Sequence, residues 1–154
     1  MARKLDTAVD RKVAEIAGTC TCASLRQASR AVTQVYDAAL QPSGLKATQF
    51  TLLAAATYVD RVPVTRLAEM LVMDRTTLTR NLRPLEAQGL LRIEAGEDRR
   101  SREILITAKG RRKLASALPL WDQAQAKLIA ALGKGRWSGL LNELGSLVSL
   151  VRPG

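Results

Sequence analysis

The chain has 154 residues, 47% hydrophobic but only 3% aromatic, with 24 Lys and Arg against 14 Asp and Glu for a formal charge of +10. It contains no histidine, which removes imidazole acid–base chemistry and His-based metal sites, and its two cysteines are too few for a disulfide scaffold. Without a Gly-rich phosphate loop or an apolar run near the roughly 18–20 residues of a membrane span, an enzyme, a bound cofactor or metal and a membrane location are not expected.

The opening MARKLDTAVDRK lacks the apolar stretch of a secretory leader, so a cytoplasmic protein is expected. Residues 22–40 carry Leu25, Ala28, Ala31, Val32, Val35, Ala39 and Leu40 at helical spacing, and the helix should stop at the turn signals Pro42 and Gly44. A second helix is predicted from about Ala47 to Tyr58. VPVTRLAEMLVM and DRTTLTRNLRPLEAQG then give two short helices in close succession. Thr65 and Asp74 are their expected N-caps, and Gly89 suits a left-handed helix end.

Beyond Gly89, LLRIE and REILIT read as a two-stranded hairpin with the charged tip AGEDRRS. Helix returns at Ala108, with Pro119 as a possible kink, and again through WSGLLNELGSLVSLV after the break at Gly133–Gly135.

Basic charge is concentrated. From Arg75 to Lys113 there are 11 basic and 5 acidic residues, a net +6. Within that span RTTLTRNLR, residues 75–83, has no acid. On a helical wheel Leu78, Leu82 and Leu85 share a narrow arc, and Thr76, Arg80 and Arg83 lie opposite. Thr77 and Thr79 flank that cluster and Arg75 stands at the helix start. Such a face fits the major groove, where arginine donates two bonds to guanine and threonine meets bases or phosphates. The bland alternative is a solvated surface helix, but solvated faces usually mix Glu with Lys. Pro84 removes the bond to the Arg80 carbonyl, so base reading should concentrate in the first two turns. At the hairpin tip, Arg99, Arg100 and Arg102 suit an adjacent minor groove, whose narrow A·T-rich stretches attract arginine, and Asp98 suits holding a neighbouring arginine. The alternative is a soluble turn without a partner.

These stretches together resemble the MarR family of bacterial winged-helix regulators. DRTTLTRNLRPLEAQGLLRI resembles its recognition helix running into the first wing strand. DRR at 98–100 resembles its Asp-x-Arg wing motif, and ITAKG at 106–110 the wing's end. The resemblance implies a mainly α fold: a winged helix-turn-helix lobe at 45–110 with a two-stranded β wing. Terminal helices, at 1–44 and 111–154, would form a dimerisation region.

It also implies a homodimer on a pseudo-palindromic double-stranded DNA operator. The tail independently asks for burial through Trp137, Leu140, Leu141, Leu144, Leu147 and Val148, joined by Leu118 and Trp121. Packing inside one chain is the alternative.

Two effector readings follow from the same resemblance. One is a small, often aromatic acid met by Arg26 and Arg30 beside Phe50 and Tyr58. The other is an oxidant met by Cys22, although Arg26 stands where the peroxide-sensing branch has an aromatic. A disulfide between Cys20 and Cys22 would require non-helical geometry, and a small buried cysteine is the plain alternative.

The expected function is therefore a sequence-specific transcriptional regulator, a repressor relieved by an effector. The competing class is a non-specific nucleoid-type or RNA-binding protein, though few aromatics are available to stack on single-stranded bases.

Overall fold

Side-chain caps and positive-φ glycines set several of the helix ends. The computed structural model describes residues 7–59, 61–96, 98 and 101–152. It separates into two units, Met1–Val35 and Tyr36–Gly154.

In the first unit α1 (Ala8–Thr19) opens at Thr7, whose hydroxyl oxygen accepts from the Asp10 amide. It ends at Cys20, an extended residue (φ −70°, ψ 105°) from which α2 (Thr21–Leu40) departs. Its apolar side chains at helical spacing, Val9, Val13 and Ile16, are exposed.

The second unit holds the core. The last turn of α2 leads through a 3-10 turn (Gln41–Ser43), closed by left-handed Gly44, into α3 (Ala47–Val59). Asp37 accepts the Ala47 amide and so substitutes for a cap at the start of α3. α4 (Val64–Met70) and α5 (Arg75–Ala87) follow, then strands β2 (Leu91–Ala95) and β3 (Arg102–Ile106) and the long helices α6 (Ala108–Leu132) and α7 (Lys134–Val151).

The hairpin is joined by a third strand that the sequence did not suggest. β1 (Arg61–Pro63) pairs antiparallel with β3, so the sheet order is β1-β3-β2. Thr65 is accordingly not an N-cap. Pro63, at ψ 139°, ends β1 and α4 begins one residue later, at Val64. The expected cap at Asp74 and the left-handed turn at Gly89 are both present. Both internal prolines are accommodated, since α5 runs through Pro84 and α6 through Pro119.

Leucines from the end of α2 and from α3, α4, α5 and β2 meet in one core: Leu40, Leu53, Leu67, Leu82, Leu91 and their neighbours are fully buried. Burying each such side chain contributes about 1.5–3 kcal/mol. Trp121 of α6 closes one side, its ring 6.0 Å from that of Phe50 and 6.4 Å from that of Tyr36. Burial pushes the Tyr36 hydroxyl pKa up, and the hydroxyl donates to Gln125.

The wing is fastened to α6 through backbone. The Leu90 carbonyl accepts from the Thr107 amide (3.1 Å) and hydroxyl (3.1 Å), and Thr107 in turn caps α6 by accepting from the Gly110 amide. A Cβ at Gly110 would overlap the Leu90 carbonyl oxygen, so only glycine allows this approach.

Candidate nucleic-acid interface

α4 and α5 meet through a tight turn. Its Val72 takes φ 54°, a left-handed conformation that a β-branched residue adopts only under strain. The Met73 amide donates to the Ala68 carbonyl across this turn. Asp74 then caps α5, accepting the Thr77 amide at 2.8 Å. Hydrogen bonding from Thr77 holds the Asp74 carboxyl below its ordinary range, so it is ionised at neutral pH.

From that cap onward α5 has two chemically distinct faces. Leu78, Leu82 and Leu85 are each 0% exposed and lock the helix to the core. Arg75, Thr76, Arg80 and Arg83 are exposed, and with Thr79 they line an open depression of about 500 Å³. The Thr79 hydroxyl donates to the Arg75 carbonyl; Thr77 and Asn81 are half-buried. The expected pairing of a leucine arc with an Arg/Thr arc is thus present. It offers guanidinium forks and a hydroxyl at a helix start, the donor set that suits base edges and phosphates.

At the wing, Arg102 is exposed and its guanidinium reaches the Ile93 carbonyl at 3.4 Å. The tip turn is closed by the Gly96 amide donating to the Ser101 carbonyl (3.0 Å). The Ser101 amide and hydroxyl both donate to the Asp98 carbonyl (2.8 Å each). Arg99 and Arg100 lie outside the described residues.

Sequence reasoning missed one cluster on this sheet. The alternation that buries Val62 and Ile104 places Arg61, Arg92, Glu94 and Glu103 together on the opposite face. Arg61 pairs with Glu103 (2.7 Å) and Glu94 (3.5 Å), and Arg92 with Glu94 (3.5 Å). The available signal was the spacing of Arg92 and Glu94 about Ile93, but without β1 the place of Arg61 was invisible.

The sequence profile described as "MarR family" matches residues 43–101. Among solved structures, the M. tuberculosis transcriptional regulator MosR in complex with DNA is 41% identical. It covers 87% of this chain and 99% of its own, with a TM-score of 0.77. The chain belongs to the MarR family. It is a winged-helix transcriptional regulator of that family. The transcriptional repressor CouR, bound to a 23-mer DNA duplex, is 26% identical over 87% of this chain and 95% of its own (TM-score 0.77). A single-site mutant of E. coli MarR complexed with operator DNA shares the fold at 18% identity, covering 86% and 96% (TM-score 0.77). No curated protein sequence matches the chain.

The remaining candidates lie as follows. Cys22, Arg26 and Arg30 are exposed on α2. Cys20 is not helical, so the geometry that a bond between the two thiols requires is not excluded by a continuous helix. Phe50 is buried against Trp121, whereas Tyr58 is 88% exposed at the end of α3. Of the residues expected at a dimer interface, Leu118, Leu140, Leu141 and Val148 are exposed. Trp137, Leu144 and Leu147 are half-buried, and half-buried Trp121 packs on its own chain's core. Among the described residues no group of three or more His, Cys, Asp or Glu is placed to hold a metal, and no helix is long and apolar enough to cross a membrane.

Proposed function

We propose that the protein is a homodimeric, sequence-specific double-stranded DNA-binding repressor whose operator affinity an effector lowers. One observation carries the reading. α5 turns its leucines wholly inward and presents Arg75, Thr76, Thr79, Arg80 and Arg83, with no acid, on an open face. The DNA complexes of MosR and CouR support the same partner. Arg75, Thr76, Thr77, Thr79, Arg80 and Arg83 are assigned to the major groove. Asp98, Arg99, Arg100 and Arg102 are assigned to the wing contact.

A dimer is supported by apolar surface that lacks cover within one chain: Leu140, Leu141, Val148, Leu150 and Val151 on α7, and Leu118 on α6. Two lobes related by a two-fold axis match a pseudo-palindromic site. The solution mass should be twice the 16.7 kDa of one chain.

For the effector, the oxidant reading is supported by exposed Cys22 beside non-helical Cys20. The small-acid reading is supported by exposed Arg26 and Arg30. Fluorescence anisotropy on the duplex upstream of the protein's own gene, against a shuffled duplex at near-physiological salt, tests the whole. Selective binding lost on peroxide treatment supports the oxidant. Selective binding unmoved by peroxide leaves the small acid. Binding to both duplexes alike, with steep salt dependence, would replace the repressor by a non-specific nucleoid-type protein.

A further inference from the structure

Glu94 and Glu103 are direct cross-strand partners on β2 and β3. Two carboxylates facing each other across a ladder repel, and a sequence that keeps them needs a cation between them. Arg61 is placed to be that cation. It reaches over from β1, donating from NH1 to Glu103 Oε2 at 2.7 Å, with NH2 3.5 Å from Glu94 Oε2. The Glu103 side chain is largely buried (15% exposed), and its carboxylate stands close to Gly96. A Cβ at Gly96 would stand only 3.1 Å from Glu103 Oε1 and would overlap the Ser101 hydroxyl. Arg61 and Glu103 thus lead from the edge strand to the turn closed by Gly96 and Ser101, where the bare Gly96 leaves room beside the carboxylate.

We propose that Arg61 is a positioning residue for the wing. It cancels the Glu94–Glu103 repulsion and holds, through Glu103, the turn closed by Gly96 and Ser101. The inference rests on the reading of the wing as a DNA contact, and it adds a residue that does not itself touch DNA. Arg92, 3.5 Å from Glu94 only, does not bridge the pair.

The test uses the full-length protein with two readouts: operator affinity by anisotropy, and amide hydrogen exchange of Gly96 and Ser101 without DNA. Arg61→Ala should weaken operator binding roughly fivefold and speed exchange of both amides. Adding Glu94→Gln removes the repulsion and should restore most of each. Adding Glu143→Gln, which changes the net charge equally but on α7, should restore neither. Arg61→Lys should fall between Arg61→Ala and the parent, because an ammonium engages the two carboxylates less completely than a planar fork.

Equal affinity losses in Arg61→Ala and Arg61→Ala/Glu94→Gln, with exchange unchanged, would make Arg61 a plain phosphate contact and overturn the proposal. So would restoration by Glu143→Gln, or no effect of Arg61→Ala on either readout. The exchange arm needs no DNA. If the parent showed no operator preference, the functional reading would fail while the exchange result still decided what Arg61 does to the turn.

Discussion

α5 and α7 are both amphipathic helices, of 13 and 18 residues, yet they meet their surroundings in opposite ways. α5 satisfies its apolar side completely, with three leucines at 0% exposure, and leaves its cationic side open. α7 leaves Leu140, Leu141 and Val148 at 46%, 47% and 43% exposure, and among its described residues none is buried. An unmet polar, positive face selects a polyanion; an unmet apolar face selects another protein surface. One chain thus presents two kinds of incompleteness, and each names the chemistry that would complete it.

The largest effect is expected at the inner side of α5. Leu82→Ala should cost about 2–5 kcal/mol, measured by urea unfolding, because the cavity it leaves lies in a close-packed core. A cost near zero would mean that α5 is not fastened as described.

On α7 the opposite is expected. Leu140→Glu/Leu141→Glu should leave the fold of the lobe intact by circular dichroism but halve the mass seen by sedimentation. Operator affinity should then fall about a hundredfold, because two linked lobes no longer bind together. If the mass stayed that of the parent, these leucines would not be the interface.

The outer side of α5 comes next. Arg80→Ala should cost about 1–3 kcal/mol of operator binding and relax sequence preference at one position. Equal losses on operator and shuffled DNA would instead make Arg80 a phosphate contact.

Two smaller effects sharpen how α5 is held. Val72→Gly should raise stability by about 1 kcal/mol, since glycine takes a left-handed φ without the penalty that valine incurs. Val72 is 45% exposed and stands outside the buried core. Asp74→Ala should lower the thermal midpoint at neutral pH. Because the folded carboxyl titrates below its unfolded value, its contribution is present above the usual carboxylate range and fades as pH falls through the folded value. The midpoints of parent and variant should therefore converge in acid.

What the sequence disclosed about these regions follows physical lines. The two faces of α5 were readable because leucines three and four apart fix a helical arc whatever lies around it. Asp74 and Gly89 were readable because a cap and a left-handed turn each ask for a particular side chain. β1 was not, because Arg61–Pro63 is too short to show alternation and its pairing partner lies some 40 positions away. The same gap produced the misplaced cap at Thr65. The turn between α4 and α5 was hidden as well, since Val72 stands where a glycine or asparagine would have marked it. Phe50 was legible as apolar but not as inward-facing, for α3 is apolar nearly all round and has no face to compare. Leu118 and Trp121, three apart on α6, looked alike in sequence; one is exposed and the other stacks on the core.

The main-chain contact between Gly110 and Leu90 leaves no gap that a side chain could widen or narrow. Mechanically it is a weld rather than a bearing: the first turn of the 25-residue α6 sits directly on the main chain at the root of β2. A side chain at position 110 would have to push the root of the wing off the start of α6, so the junction has no setting between joined and parted.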